Sequence, residues 1–140
     1  MREMQELAAE VRTGTGKGPA YQSRQKGLVP AIVYGGEAAG YVLKFEDGRT
    51  IYFAGDTNVF SDMALIAELY KPDLAFLPIG DLFTMGPREA AVACRLLQIP
   101  TVIPMHFGTF PPLIGRPEQL QKLVPDTKVW DLKPGEAVIW

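Results

Sequence analysis

Apolar and polar residues alternate on both sides of Asp47-Gly48. The apolar positions are Tyr41, Leu43 and Phe45 before this dipeptide, and Ile51 and Phe53 after it. Alternation with a period of two is typical of β-strands, and Asp-Gly between two such segments is typical of a tight hairpin turn. The pattern therefore predicts a β-hairpin within the stretch GYVLKFEDGRTIYFAGDT.

Three later segments have the spacing of amphipathic helices. Asp62 is placed to cap the first, which ends before Pro72. Its apolar stripe comprises Leu65, Ile66 and Leu69. Gly86-Pro87 begins the second helix, because proline is favoured at the first helical position. Its predicted buried stripe comprises Ala90, Ala91, Cys94 and Leu97. A short third helix is predicted from Pro117 through Leu120 and Leu123.

Apolar runs without alternation separate these helices. DLAFLPI and TVIPMH are predicted to be strands covered on both faces, and KVWDL and AVIW are predicted to be closing strands. Strands and helices that alternate with short connections form an α/β domain, here with the helices on one face of the sheet. We predict this domain over residues 28–140. Residues 1–27 are predicted to form a loop-rich N-terminal arm that starts with a helix over Met1 to Val11.

Composition narrows the function classes. The 140 residues carry a net charge of −2 and no long basic run, which argues against nucleic acid or an anionic membrane as the main partner. The apolar stretches are too short to span a bilayer and the N-terminus has no signal-peptide pattern, so we expect a cytoplasmic protein. The single cysteine, Cys94, excludes an internal disulfide, and its apolar helix face favours an inert core thiol over a nucleophile.

Three polar residues follow predicted strands, where ligands gather in α/β folds. Asp56 follows TIYFAG, Asp81 follows DLAFLPIG, and His106, the only histidine, ends TVIPMH. A carboxylate and an imidazole from adjacent strand ends suit a divalent metal such as zinc or manganese. The residue types also leave plainer roles open, namely a turn or cap for either aspartate and core packing for His106. Glu37, in GGEAAG, either approaches the same cleft or belongs to a tight turn.

Several separated motifs resemble the metal-dependent hydrolases of the metallo-β-lactamase fold, in their small, poorly characterised prokaryotic branch. The resemblance runs from Val33 to Pro112, through AGDT, FTMGPREAA and VIPMHFGTFP, and LKPGE extends it. It implies the C-terminal half of an αββα sandwich, with a mixed sheet and helices on one outer face. Members bind two metals, often zinc, and hydrolyse esters, amides, phosphodiesters or thioesters. The resemblance implies that Asp56 bridges the metals and that His106 is the last metal-binding histidine.

The chain also departs from that family. The H-x-H-x-D-H motif, which supplies most of the metal ligands, is absent, since the chain has one histidine. A further family histidine lies in a segment like A-Y-H-S-S, where this chain has PAYQSRQ with Gln22 at the histidine position. An amide is a much poorer zinc ligand than an imidazole. Because catalytic zinc usually has about three protein ligands, we expect Asp56 and His106 alone to bind metal weakly and the isolated chain to be inactive.

The implied half-sandwich leaves one sheet face to be covered. The residues of such faces include Tyr41, Leu43, Phe45, Leu74 and Phe76. A contiguous apolar patch beyond a few hundred Å² usually marks an interface. We therefore expect a homo-oligomer, a complementary N-terminal half or the chain's own N-terminal arm to cover this face, and an unidentified small molecule as substrate.

Three functional hypotheses remain open from the sequence. The chain is half of a metal-dependent hydrolase that another chain or a longer gene product completes, or a non-catalytic α/β assembly or binding module, or a truncated or decayed product. The loops around DLFTMGP and FGTFPPLIG carry no recognisable substrate signature.

Overall fold

The computed structural model describes residues 31–34 and 40–140, and side chains from residue 40 onward. Residues Ala31–Trp140 form one compact unit. The predicted N-terminal helix and arm, Gln22 and Glu37 lie outside the described residues. Their predicted roles therefore stay predictions.

A six-stranded mixed sheet forms the centre of this unit, with its strands in sequential order. The strands are β1 (Ala31–Tyr34), β2 (Tyr41–Phe45), β3 (Thr50–Phe53), β4 (Leu74–Pro78), β5 (Thr101–Met105) and β6 (Lys128–Val129). Strands β1 to β3 pair antiparallel, and β3 to β6 pair parallel. The predicted hairpin is confirmed: the N–H of Phe45 donates to the Arg49 carbonyl at 2.9 Å across the Asp47-Gly48 turn.

Three helices connect the parallel strands. They are α1 (Met63–Tyr70), α2 (Pro87–Leu97) and α3 (Pro117–Leu123). Consecutive helices contact one another and share one apolar core with the sheet, so they lie on the same face, as the sequence predicts. Helix α2 begins where the sequence indicates: Pro87 is its first residue, and the Glu89 carboxylate accepts the Gly86 N–H at 3.2 Å. Among the described residues, no helix has the length and apolarity needed to cross a membrane.

One row of neighbouring residues across β2 to β5 packs under these helices. Val42 pairs with Tyr52, Tyr52 with Ala75, and Ala75 with Val102. All four are buried in the main core, and we call them the covered row. The predicted stripe of α2 packs into the same core, since Ala90, Ala91, Cys94 and Leu97 are all buried.

The next row along the same strands points to the other face of the sheet, because side chains alternate between faces. Tyr41 pairs with Phe53, Phe53 with Phe76, and Phe76 with Ile103. We call these four the open row. Tyr41 is 54% exposed and Phe53 37% exposed, and the Phe53 and Phe76 rings lie 5.4 Å apart. Ile103 is buried, but it lies outside the cluster that holds the covered row.

The predicted stripe of α1 is wrong in two of its three members. Leu65 and Leu69 are exposed, and α1 buries Met63, Ile66 and Ala67 instead. This helix carries apolar residues on more than one side, so periodicity alone did not select the buried one. Asp62 does occupy the predicted cap position, but its side chain makes no capping hydrogen bond.

The strands predicted from the sequence also differ from those observed near both edges of the sheet. AVIW, predicted to be a closing strand, forms none, and KVWDL contributes only the two residues of β6. The N–H of Trp130 still donates to the Val102 carbonyl at 2.9 Å. Leu74, expected on a face that needs cover, is buried at 1% exposure. Strand β1 was not predicted, although it extends the hairpin by a third antiparallel strand.

Candidate metal centre

The structure brings Asp56 and His106 together at the side of the sheet where the parallel strands β3 to β6 end. We call this side the carboxyl edge. Nε2 of His106 lies 3.8 Å from Oδ2 of Asp56. The Asp56 side chain is 72% exposed and the His106 side chain 31% exposed. Asp56 lies in the turn after β3, and His106 directly follows β5. The expectation of adjacent strand ends is therefore wrong, because β4 lies between these two strands. The loops, rather than neighbouring strands, bring the two side chains close.

Gly80, just after β4, lets the backbone of His106 pass close to the end of that strand. A Cβ at Gly80 would lie 2.0 Å from the carbonyl oxygen of His106. Gly115 has the same relation to Ile79, whose carbonyl oxygen would be 1.7 Å from an added Cβ. The chain after β5 therefore packs backbone against backbone over the end of β4. Sequence reasoning missed both glycines, although a glycine directly after the buried run DLAFLPI was a usable signal.

His106 has a backbone conformation that is unusual for a residue with a side chain. Its φ is 54°, in the left-handed region. For an L-residue this conformation costs about 1–2 kcal/mol. Strain of this kind persists where surrounding structure fixes the residue, and it clusters at ligand-binding sites. His106 therefore sits in a left-handed turn directly after β5, with its Nε2 3.8 Å from Oδ2 of Asp56.

The two nitrogens of His106 differ in their surroundings. Nε2 faces the Asp56 carboxylate, whereas Nδ1 is buried without a hydrogen-bond partner among the described residues. A buried polar atom without a partner costs about 1–3 kcal/mol. An imidazole nitrogen and a carboxylate oxygen side by side suit zinc or manganese, so the donor types fit two ligands of a divalent metal.

No third ligand completes this pair within the part of the chain that the structure describes. Its side chains contain no group of three or more His, Cys, Asp or Glu residues that could hold a metal ion. Asp81 is exposed, and its Oδ1 accepts the Leu82 N–H at 2.8 Å, so it orders its own turn. The structure thus gives Asp81 the turn role that the sequence left open.

Cys94 lies away from this edge, in α2. It is buried in the core, and this burial raises the pKa of its thiol to about 12. A thiol with such a pKa is protonated at neutral pH, and it is neither a nucleophile nor a metal ligand there. The prediction of an inert core thiol is confirmed.

Known proteins with the same sequence pattern and fold share a hydrolase description. Residues 6–107 match the family described as the beta-lactamase superfamily domain. A UPF0173 metal-dependent hydrolase from Solibacter usitatus is 68% identical over 111 residues, 78% of this chain and 48% of that protein. The chain spans about half the length of the curated relatives it matches.

Solved structures agree with the sequence match. Igni18, a metallo hydrolase from Ignicoccus hospitalis, has a TM-score of 0.66 and 33% identity over 84% of this chain and 64% of its own. A Thermotoga maritima protein assigned to the metallo-β-lactamase superfamily has a TM-score of 0.55 and 26% identity, over 68% of this chain and 56% of its own. Together with the mixed sheet and its helices on one face, these matches establish that the chain belongs to the beta-lactamase superfamily domain family and has the α/β architecture of half a metallo-β-lactamase fold.

Proposed function

We propose that this chain is part of a metal-dependent hydrolase in which Asp56 and His106 are two ligands of a divalent metal centre. The observation that carries the proposal is the 3.8 Å approach of Nε2 to Oδ2 at the carboxyl edge of the sheet. His106 is held there in a left-handed turn whose backbone packs closely against Gly80.

The two residues have distinct tasks at such a centre. Asp56, whose side chain is largely exposed, would supply carboxylate oxygens to a divalent metal at this edge. His106 would contribute an imidazole nitrogen, and its backbone turn holds the residue in place. A bound divalent metal polarises a substrate oxygen and makes water acidic enough to serve as a nucleophile near neutral pH. We propose zinc, since it accepts both donor types in a small coordination shell.

The remaining ligands must come from outside the described residues. A catalytic zinc usually has about three protein ligands, so a two-residue set binds metal weakly and does not activate water. We propose that the chain by itself is inactive, and that a complementary segment or partner chain supplies the rest. The half-length match to the curated relatives and the partly exposed open row both support this proposal.

The same partner is proposed to cover the open row. Tyr41, Phe53 and Phe76 are aromatic and lie next to one another on the face opposite the three described helices. Each Å² of apolar surface removed from water contributes about 25 cal/mol. A complementary N-terminal half or a second copy of the chain, packed on this face, would gain that energy and would bring its own ligands to the same edge.

Metal titration tests the proposal. Zinc affinity is measured for the chain alone and for the chain mixed with the portion of the Solibacter usitatus relative outside the matched 111 residues. We expect weak binding alone and tight binding in the mixture, where Asp56→Asn and His106→Ala each weaken affinity by about 100-fold or more. This exceeds the roughly 10- to 100-fold cost of losing an outer-shell partner. Tight zinc binding and ester hydrolysis by the chain alone would contradict the two-ligand account.

A non-catalytic α/β binding module is the second candidate. It is favoured by the absence of a third ligand from the described residues. In that case His106→Ala changes neither zinc affinity nor association in the mixture. The two functions therefore give opposite results in the same titration.

A further inference from the structure

A second feature of the carboxyl edge is a cleft of about 410 Å³ that reaches His106. It lies between the end of β5, the start of α3 and the segment after β6. The apolar part of its lining includes Met105, Phe107 and Leu132, and two cationic side chains, Arg116 and Lys133, also line it. This volume is large enough to hold a small molecule, since ligand pockets have volumes of roughly 300–1,000 Å³.

The Arg116 guanidinium is held in place by the main chain. Its Nη1 donates to the carbonyls of Leu113 at 2.9 Å and Gly115 at 2.7 Å. Its Nη2 and Nε donors have no hydrogen-bond partner among the described residues, and no carboxylate there forms an ion pair with it. A guanidinium fixed through one nitrogen, with its other donors unused, is preorganised for a planar two-oxygen acceptor.

The charges of the lining limit the kind of acceptor. Glu118 and Asp131 also line the cleft, so two carboxylates balance the two cations, Arg116 and Lys133. Glu118 lies in the first turn of α3, where the helix dipole favours a carboxylate. Attraction therefore comes from the directed donors of Arg116 rather than from an overall positive field. Such a lining favours one acidic group on a partly apolar small molecule and disfavours a polyanion such as nucleic acid.

We propose that this cleft is a substrate subsite in which Arg116 binds a single carboxylate or phosphate group. The proposal rests on the proposed function, because His106 connects the cleft to the candidate metal centre. It narrows the substrate class to small molecules that carry an acidic group beside the bond that is cleaved. The apolar lining then contacts the rest of the molecule.

The test is an NMR titration of the metal-free full chain with inorganic phosphate and, separately, with acetate. We expect saturable shifts in the backbone amides of residues 105–107 and 131–133, which line the cleft. Arg116→Gln should raise the Kd of whichever of the two probes binds more tightly by about tenfold or more, the usual effect of losing a charged hydrogen bond. Arg88→Gln, which removes an exposed arginine from α2 outside the cleft, should leave that Kd unchanged. A preference for phosphate or for acetate identifies which acid the subsite takes.

Two further variants distinguish an acid-binding Arg116 from a purely structural one. Arg116→Lys keeps the charge but loses the planar fork, so we expect it to retain part of the phosphate or acetate binding that Arg116→Gln loses. If Arg116 only clamps its loop, both variants lower the melting temperature and neither changes the Kd, which would overturn the proposal. This titration contains no zinc, so its outcome does not depend on whether Asp56 and His106 bind metal. Failure of the zinc titration and failure of the subsite are therefore distinguishable.

Discussion

The covered row and the open row run across the same four strands, one residue apart. The covered row (Val42, Tyr52, Ala75 and Val102) is buried beneath the helices. The open row (Tyr41, Phe53, Phe76 and Ile103) is equally apolar, yet two of its aromatic residues are substantially exposed. Hydrophobicity is therefore not what distinguishes the two faces of this sheet. What distinguishes them is that, among the described residues, the three helices pack on the covered row and none of them packs on the open row.

The carboxyl edge, where the parallel strands end, differs from both rows. Here the chain keeps a histidine with a left-handed backbone and a glycine that no other residue can replace without moving the backbone. Neither feature increases the stability of the fold, whereas the burial of the covered row does. Such local costs are expected at a functional site.

The largest expected difference between the rows is in stability. Tyr52→Ala should lower the free energy of unfolding by about 4 kcal/mol, because large-to-small changes in a full core also leave a cavity. Phe53→Ala, at the next residue but on the open row, should cost about 1 kcal/mol, since much of that ring is already in water. Urea denaturation of the isolated chain measures both. Equal costs would show that the open row is packed as tightly as the covered one.

A smaller effect concerns the pH dependence of the covered face. Burial raises the pKa of the Cys94 thiol from 9.0 to about 12. The folded state therefore keeps its proton where the unfolded state loses it, and stability should fall as pH rises from 9 toward 12. The thiol by itself lowers the free energy of unfolding by at most about 1.4 kcal/mol for each pH unit above 9. Burial raises the pKa of Tyr52 in the same direction, from 10.0 to about 12, so its contribution begins near pH 10.

Cys94→Ala separates the two groups. Its free energy of unfolding, measured by urea denaturation between pH 8 and 10, should be nearly independent of pH, whereas that of the parent chain declines from pH 9. An identical decline in both proteins would show that the thiol is not responsible.

The smallest expected effect belongs to the carboxyl edge. His106→Gly and His106→Ala both remove the imidazole, but only glycine adopts a φ of 54° without strain. The glycine variant should therefore be more stable than the alanine variant by about 1 kcal/mol. Thermal unfolding of the metal-free proteins measures the difference. A more stable alanine variant would mean that the turn at His106 is not strained.

Local sequence patterns predicted a large share of this fold. The hairpin around Asp47-Gly48 follows from alternation and turn chemistry, which act between residues close in the chain. The start of α2 at Pro87 and its buried stripe follow from one proline and a helical period with a single apolar side. Asp56 and His106 were selected as candidate ligands because they follow strands and because the surrounding motifs resemble a known family.

The tertiary structure decided what depends on contacts between distant segments. It chose Met63 and Ile66 rather than Leu65 and Leu69 as the buried side of α1, because the core accepts only one of its apolar sides. It left AVIW outside the sheet, although that segment is as apolar as a strand. It also brought Asp56 and His106 together across β4, and it packed the His106 backbone against Gly80, where a side chain would clash. The sequence by itself determined the elements and the candidate donors, since those depend on local chemistry. Their arrangement depends on close packing between segments tens of residues apart, so only the folded chain determined it.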